Sequence, residues 1–193
     1  KLMQRIGDGG LAARLVKVSK SLNLEDTSSV RGQRHILLSN NKSALSDFEI
    51  NIDNPLERAV RLSYQLNSYE GRRIELVTSP FFPKESLNIP NGATHFRFVI
   101  GIGYVCDFKY DVNTDSYVAN NPNESLTSTV AYSEYLSVAD VIMPIELSTE
   151  TNCPEPPSSI TILHVMGVEL YKLIGSRWEA IQGKGVLKIV YVG

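Results

Sequence analysis

Cysteine is nearly absent from this chain: Cys106 and Cys153 are the only two among 193 residues. Two thiols cannot build a disulfide framework, and without histidine they cannot build a cysteine-rich zinc site. Histidine is equally scarce, and His35, His95 and His164 are scattered along the chain. A Cys106–Cys153 bridge is left open, because pairing cannot be read from sequence spacing alone. No apolar run nears the roughly 20 residues that a membrane-spanning helix needs. Neither sign of charge dominates, with 19 Lys and Arg against 21 Asp and Glu for a formal net charge of −2. That balance offers no global argument for nucleic acid or an anionic membrane as partner. No basic-then-apolar leader opens the chain. It begins on Lys1 rather than Met, so a piece of a longer protein is expected.

What is present is periodicity. Leu11, Leu15, Val18 and Leu22 fall on one stripe of a helix, with Arg14, Lys17, Lys20 and Ser21 elsewhere around it. From Phe48 the period changes to two. Phe48, Ile50 and Ile52 alternate with Glu49 and Asn51, and Val60, Leu62, Tyr64 and Leu66 alternate with polar neighbours. The clearest run is 94–108. Phe96, Phe98, Ile100, Ile102, Tyr104, Cys106 and Phe108 point one way, while His95, Arg97, Val99, Gly101, Gly103 and Val105 point the other. The second face is thin, and its two glycines predict a bend, a bulge or a close neighbour. Further strands are predicted at 74–77, 127–138, 140–147, 159–174, 177–181 and 186–192, with Gly175-Ser176 as a type II′ hairpin and Asn91-Gly92 as a turn. No helical pattern is read after residue 45, and "PEPPSS" at 154–159 reads as a rigid connector. The expectation is a mostly-β protein, an antiparallel β-sandwich of immunoglobulin-like or jelly-roll-like kind with roughly eight to ten strands. A helical N-terminal segment, 1–46, precedes a sandwich domain, 47–193.

The short motifs resolve into turns. "DVNTDS", 111–116, has the alternating oxygens of a calcium loop. An EF-hand loop needs Gly at its sixth position and Glu at its twelfth, where this chain has Ser116 and Pro122, so the stretch reads as a hairpin tip. "GIGYVCD", 101–107, lacks the third glycine and the following helix of a dinucleotide site. No Gly-x-Ser-x-Gly elbow occurs, and His95 and His164 read as strand residues rather than catalytic ones. No metal site and no cofactor are expected.

Two binding readings rest on particular residues. Arg14, Lys17, Lys20, Arg31 and Arg34 gather near the N-terminus and could meet phosphates, although Glu25 and Asp26 interrupt them and a solvated helix face explains the lysines as well. Tyr104, Tyr110, Tyr117, Tyr132, Tyr135, Tyr171 and Trp178 fall in the sheet region, where aromatics also serve packing; Tyr132 and Trp178 are the candidates for a glycan platform, and Tyr104 reads as core.

The stretches "DTSSVRG", "DFEINIDNPLERAV", "FFPKESLNIPNGATHFRFV" and the terminal "LKIVYVG" together resemble a group of uncharacterised proteins from Bacteroidetes bacteria. The resemblance implies a basic helical N-terminal part leading into a β-rich domain, and it leans toward a non-secreted, cytoplasmic protein. Members of the group carry a further basic segment ahead of the helix that this chain lacks. No activity and no functional residues come with the group. The function expected from all of this is a non-enzymatic binding or assembly module. Its partner would be a protein, a second copy or another chain, with a glycan-binding sandwich and a nucleic-acid-associated protein as the alternatives.

Overall fold

The structure, a computed structural model, describes residues 2–69, 71–152 and 156–193. Cys153 lies outside them, and with it the question of a bridge to Cys106; so does the start of the proline-rich connector. Two helices open the chain, α1 (Leu2–Ile6) and α2 (Leu11–Glu25). Along the expected stripe of α2, Leu22 is buried, Leu11 and Val18 are half-buried, and Leu15 keeps 36% of its surface. Two single turns that the periodicity missed follow, α3 (Leu56–Ala59) and α4 (Pro83–Ser86). Pro55 and Pro83 pre-set the backbone for these turns, and four residues are too few to show a helical period.

The strands are β1 (Tyr64–Tyr69), β2 (Arg73–Thr78), β3 (His95–Cys106), β4 (Phe108–Asp111), β5 (Ser116–Ala119) and β6 (Ser128–Tyr132). They continue with β7 (Leu136–Ser137), β8 (Glu146–Glu150), β9 (Ile160–Ile174), β10 (Arg177–Ala180) and β11 (Val186–Val192). Every pairing is antiparallel. The main sheet runs β10–β9–β3–β6, with β11 also beside β9 and β7 beside β3; a smaller sheet runs β1–β2–β8, and β4–β5 form a ribbon. This is the mostly-β antiparallel sandwich that the alternation predicts.

Three layers result. Phe96, Phe98, Ile100, Ile102 and Tyr104 of β3 face the small sheet and share a core with Ile74 and Leu76 of β2. The opposite face of the main sheet, with Val99, Leu163, Val165, Leu187 and Ile189, packs on Ile6, Leu22, Leu38, Leu45 and Ile50 from the N-terminal third. The chain up to Ile50 therefore covers the second face of the sheet, while Leu56, Ala59, Val60 and Leu62 join the core on the first.

Several local expectations are met. The Gly175-Ser176 loop joins β9 to β10 with Ile174 opposite Arg177, and Gly175 takes the positive φ that the first loop position requires. "DVNTDS" is the tip between β4 and β5, where Asp111 accepts hydrogen bonds from Asn113 N–H at 2.9 Å and from the Thr114 hydroxyl at 3.1 Å. Tyr104 is buried, as expected.

One expected strand is not formed. Phe48 to Ile52 makes a single bridge, Glu49 opposite Lys188, flanked by Ile189 N–H to Phe48 O and Ile50 N–H to Leu187 O. Asp47 has φ +57°, and fully buried Asn51 turns the chain by donating to the carbonyls of Gly183 and Gly185. The alternation here marks a clip on β11. The expected strand at 127–138 is likewise split into β6 and β7, and most of 140–145 is irregular, with an isolated bridge of Ile142 to Phe81 and with Ile145 O accepting from Thr78 N–H of β2.

His164, fully buried on β9, is hydrogen-bonded at both ring nitrogens. Nε2 lies 2.9 Å from the Gly71 carbonyl, which only accepts, so Nε2 carries the proton and Nδ1 accepts from the Ser68 hydroxyl at 3.0 Å. Burial lowers its pKa, and the ring is neutral.

Gly167 lies where the ladder is tightest. A Cβ there would stand 2.1 Å from the Val186 carbonyl oxygen, a backbone atom that cannot swing aside. Gly103, on the same face of the sheet, has nothing within 4 Å of that position. The expected outcome is that Gly167→Ala lowers the unfolding free energy by about 1–3 kcal/mol while Gly103→Ala leaves it unchanged or slightly higher. Urea denaturation of both variants checks it, and equal effects at the two sites would contradict the packing described.

Candidate functional site

The α-helical layer does not fill the sheet face it covers. Between α2 and the sheet lies a hollow of about 440 Å³ bounded by Leu15, Val18 and Leu22 on one side and Leu163 and Ile189 on the other. A second hollow of about 540 Å³ runs on along β3 and β6, floored by Gly101 and Gly103 and closed at its far end by Tyr132. Met3, Val105 and Leu163 wall both, so the two adjoin as one elongated cleft. The thin face of β3 creates it. Gly101 has the close neighbour that the sequence predicts, the Thr129 carbonyl at 3.0 Å from a would-be Cβ; Gly103 instead faces open space.

Beyond Tyr132 the same face becomes charged and aromatic. Arg97 of β3 and Glu169 of β9 stand directly opposite each other. Arg97 Nε and Nη2 both reach Glu169 Oε2, at 2.8 and 2.7 Å, and the Tyr171 hydroxyl donates to the same oxygen at 2.8 Å. Arg5 of α1 holds Oε1 at 2.6 Å and donates to the Tyr132 hydroxyl at 3.4 Å. Glu169 is only 4% exposed, so its charge is held by these donors rather than by water. Burial opposes the charge on Arg97 and Arg5, but the Glu169 carboxylate outweighs it and both guanidinium pKa values rise. Tyr171 is pushed up, first by burial and then by its bond to Glu169. The Arg97 guanidinium lies 3.9 Å from the Tyr132 ring centroid and 5.1 Å from that of Tyr135.

The two aromatic candidates thus sit on one face of the sheet but on opposite sides of the β3–β9 ladder, Tyr132 on β6 and Trp178 on β10. Tyr132 has Arg97 over its ring. Trp178 is 39% exposed, stacks on Tyr135 at 4.6 Å with planes 7° apart, and meets the His95 ring at 4.4 Å. Among the five basic candidates, Lys17, Lys20 and Arg31 are exposed. Arg14 is spent on Asp8 at 2.7 Å and on the carbonyls of Glu49 and Ile50, and Arg34 donates to Leu24 O at 3.3 Å. Among the described residues no three His, Cys, Asp or Glu side chains gather as a metal ion would require, and no helix is long and apolar enough to cross a membrane.

Sequence reasoning passed over Arg5, Arg97 and Glu169. The signal was a single charge of opposite sign inside each of the two most apolar strands, "HFRFVI" and "MGVELY".

A second polar cluster backs the cleft where residues 48–50 clip onto β11. Lys188 joins Asp47 at 2.9 Å and also Glu57, while Glu49 accepts from Leu56 N–H at 3.0 Å and leaves its other oxygen buried without a partner. Burial, against the Leu56 N–H bond and with help from the Glu57 charge, pushes the Glu49 carboxyl from 4.5 up to about 7. Comparison with protein-family models, with curated proteins and with solved structures finds no match.

The Glu49 proton is held more tightly in the folded chain than in the unfolded one. Its penalty is absent below pH 4.5, grows between 4.5 and about 7, and is complete above. Glu49→Gln is expected to stabilise the protein above the window by about 1–3 kcal/mol and to converge on the parent at its acid end. Chemical denaturation at both ends of the window measures this; a difference that stays constant with pH would contradict it.

Proposed function

We propose that the chain is a non-enzymatic binding module whose ligand is an elongated apolar molecule lying between the helical layer and the main sheet. The observation that carries this is the cleft. Two adjoining clefts of about 440 and 540 Å³ open to solvent on this face, and each is within the range of small-molecule sites, roughly 300–1,000 Å³. Their walls are mostly apolar, which suits a ligand recognised by shape and burial. The α2 stripe faces this space rather than outward, which supports ligand binding over self-association through the helix. The glycan and nucleic-acid readings have less beneath them, because Trp178 stacks on Tyr135, and Arg14 and Arg34 are engaged within the fold.

Gly103 gives the test. A phenylalanine there meets no clash at its Cβ and projects into the cleft from the floor. N-phenylnaphthylamine, a neutral apolar dye that brightens when it leaves water, is expected to bind the parent protein, and Gly103→Phe to weaken it by about tenfold or more with the fold intact by circular dichroism. Dye binding unchanged in a folded Gly103→Phe protein would remove the cleft as the site.

A further inference from the structure

The cleft has a charged end, and the charges do not balance. Two guanidiniums, Arg5 and Arg97, meet one carboxylate, Glu169, with Tyr132 and Tyr171 supplying neutral hydroxyls. Arg97 is the inner cation: its side chain is 15% exposed, it is doubly bonded to Glu169, and it is overlaid on aromatic rings. With Glu169 it forms a neutral pair. Arg5 is then the surplus cation. Its side chain keeps 40% of its surface, and its guanidinium touches the hydroxyl of Tyr132, the residue that closes the cleft. The cleft floor on β3 runs from Gly101 to Val105, about 13 Å at roughly 3.3 Å per residue, and Arg97 lies four residues further along the same face, beyond the buried Val99. One end is therefore cationic and the remainder apolar.

We propose that the ligand of this cleft is a single-chain amphiphile with a carboxylate head, its head on Arg5 beside Tyr132 and its tail along Gly101 and Gly103 toward Val105. The inference rests on the binding reading above and adds the ligand's class and polarity. Charge complementarity supports it. A carboxylate on Arg5 brings the cluster to neutrality, and guanidinium–carboxylate pairs are short, charge-assisted and geometrically selective. A cationic head would meet two arginines, and a neutral head would leave the surplus charge as it is. Arg5 also comes from α1, whose Leu2 and Met3 wall the cleft, so head recognition and tail burial are linked through one helix.

The test uses three ligands with the same tail: laurate, dodecanol and dodecyltrimethylammonium. Each competes against N-phenylnaphthylamine on the full chain. Laurate is expected to displace the dye at a concentration about tenfold lower than dodecanol, with the ammonium weakest. Arg5→Gln is expected to remove laurate's advantage over dodecanol, read as the ratio of the two on the same variant so that any shift of α1 affects both alike; Arg5→Lys should restore part of it. Since Arg97 still neutralises Glu169 in Arg5→Gln, the variant leaves no buried charge unpaired. If laurate and dodecanol compete equally on the parent protein, the head-group proposal falls and the apolar cleft stands. If laurate's advantage survives Arg5→Gln, Arg5 is not the head-group site and the proposal also falls. If none of the three displaces the dye, the binding reading falls and takes this one with it.

Discussion

β3 and β9 lie side by side from His95 opposite Tyr171 to Cys106 opposite Ile160, and both faces of that ladder are apolar. An antiparallel sheet can leave one face to water; here each face is apolar over most of its length, so neither can be left to water. Phe96, Phe98 and Ile100 are fully buried on one side and Val99 on the other. Each face must therefore find a cover. β1, β2 and β8 supply one, and the helices with residues 36–50 supply the other. The N-terminal segment shares its core with the sheet, so its stability and that of the sheet are one quantity.

The same ladder carries the Arg97–Glu169 pair, and the placement constrains register. A buried ion pair contributes little net stability, because desolvation offsets most of the attraction; losing one partner costs far more. Its sharper consequence follows from the period of two. Slipping β3 by one residue would turn Arg97 toward the apolar Phe96 and Phe98 side and leave Glu169 to Arg5 and Tyr171 alone. Arg5 extends the constraint to α1, so the pair that holds two strands in register also locates the helix that closes the cleft.

What was legible in the sequence follows how local each cause is. The 94–108 alternation reports burial within one strand, and it gave the core face from Phe96 to Cys106; Phe108, expected on that face, lies in β4 and is exposed, because β3 ends at Cys106. The Gly175-Ser176 loop and the Asp111 tip are decided within a few residues, by φ > 0 at glycine and by a carboxylate accepting its neighbours' N–H groups. Where the cause is distant, local pattern misleads. Phe48, Ile50 and Ile52 alternate like a strand, but Asn51 turns the chain because carbonyls more than 130 residues away accept its amide. The site is legible only in halves. Arg97 and Glu169 are 72 residues apart, and nothing local says that they meet; the register of two strands decides it.

Glycine in the middle of a strand weakens it, so each such residue needs a reason. At Gly167 the reason is a backbone carbonyl, since no other residue fits beneath Val186. At Gly103 that reason is missing: its φ lies outside the left-handed region, and no atom stands within 4 Å of a would-be Cβ. Alanine or valine would fit the backbone there and would strengthen both the strand and the packing beside Leu2 and Met3 of α1. The longest buried ladder of the molecule thus gives up side-chain volume at the one position where folding alone would favour filling it. The volume given up is the floor of the cleft, and the two faces of β3 differ accordingly: one is packed solid by phenylalanine, isoleucine and tyrosine, and the other is left hollow between Val99 and Val105.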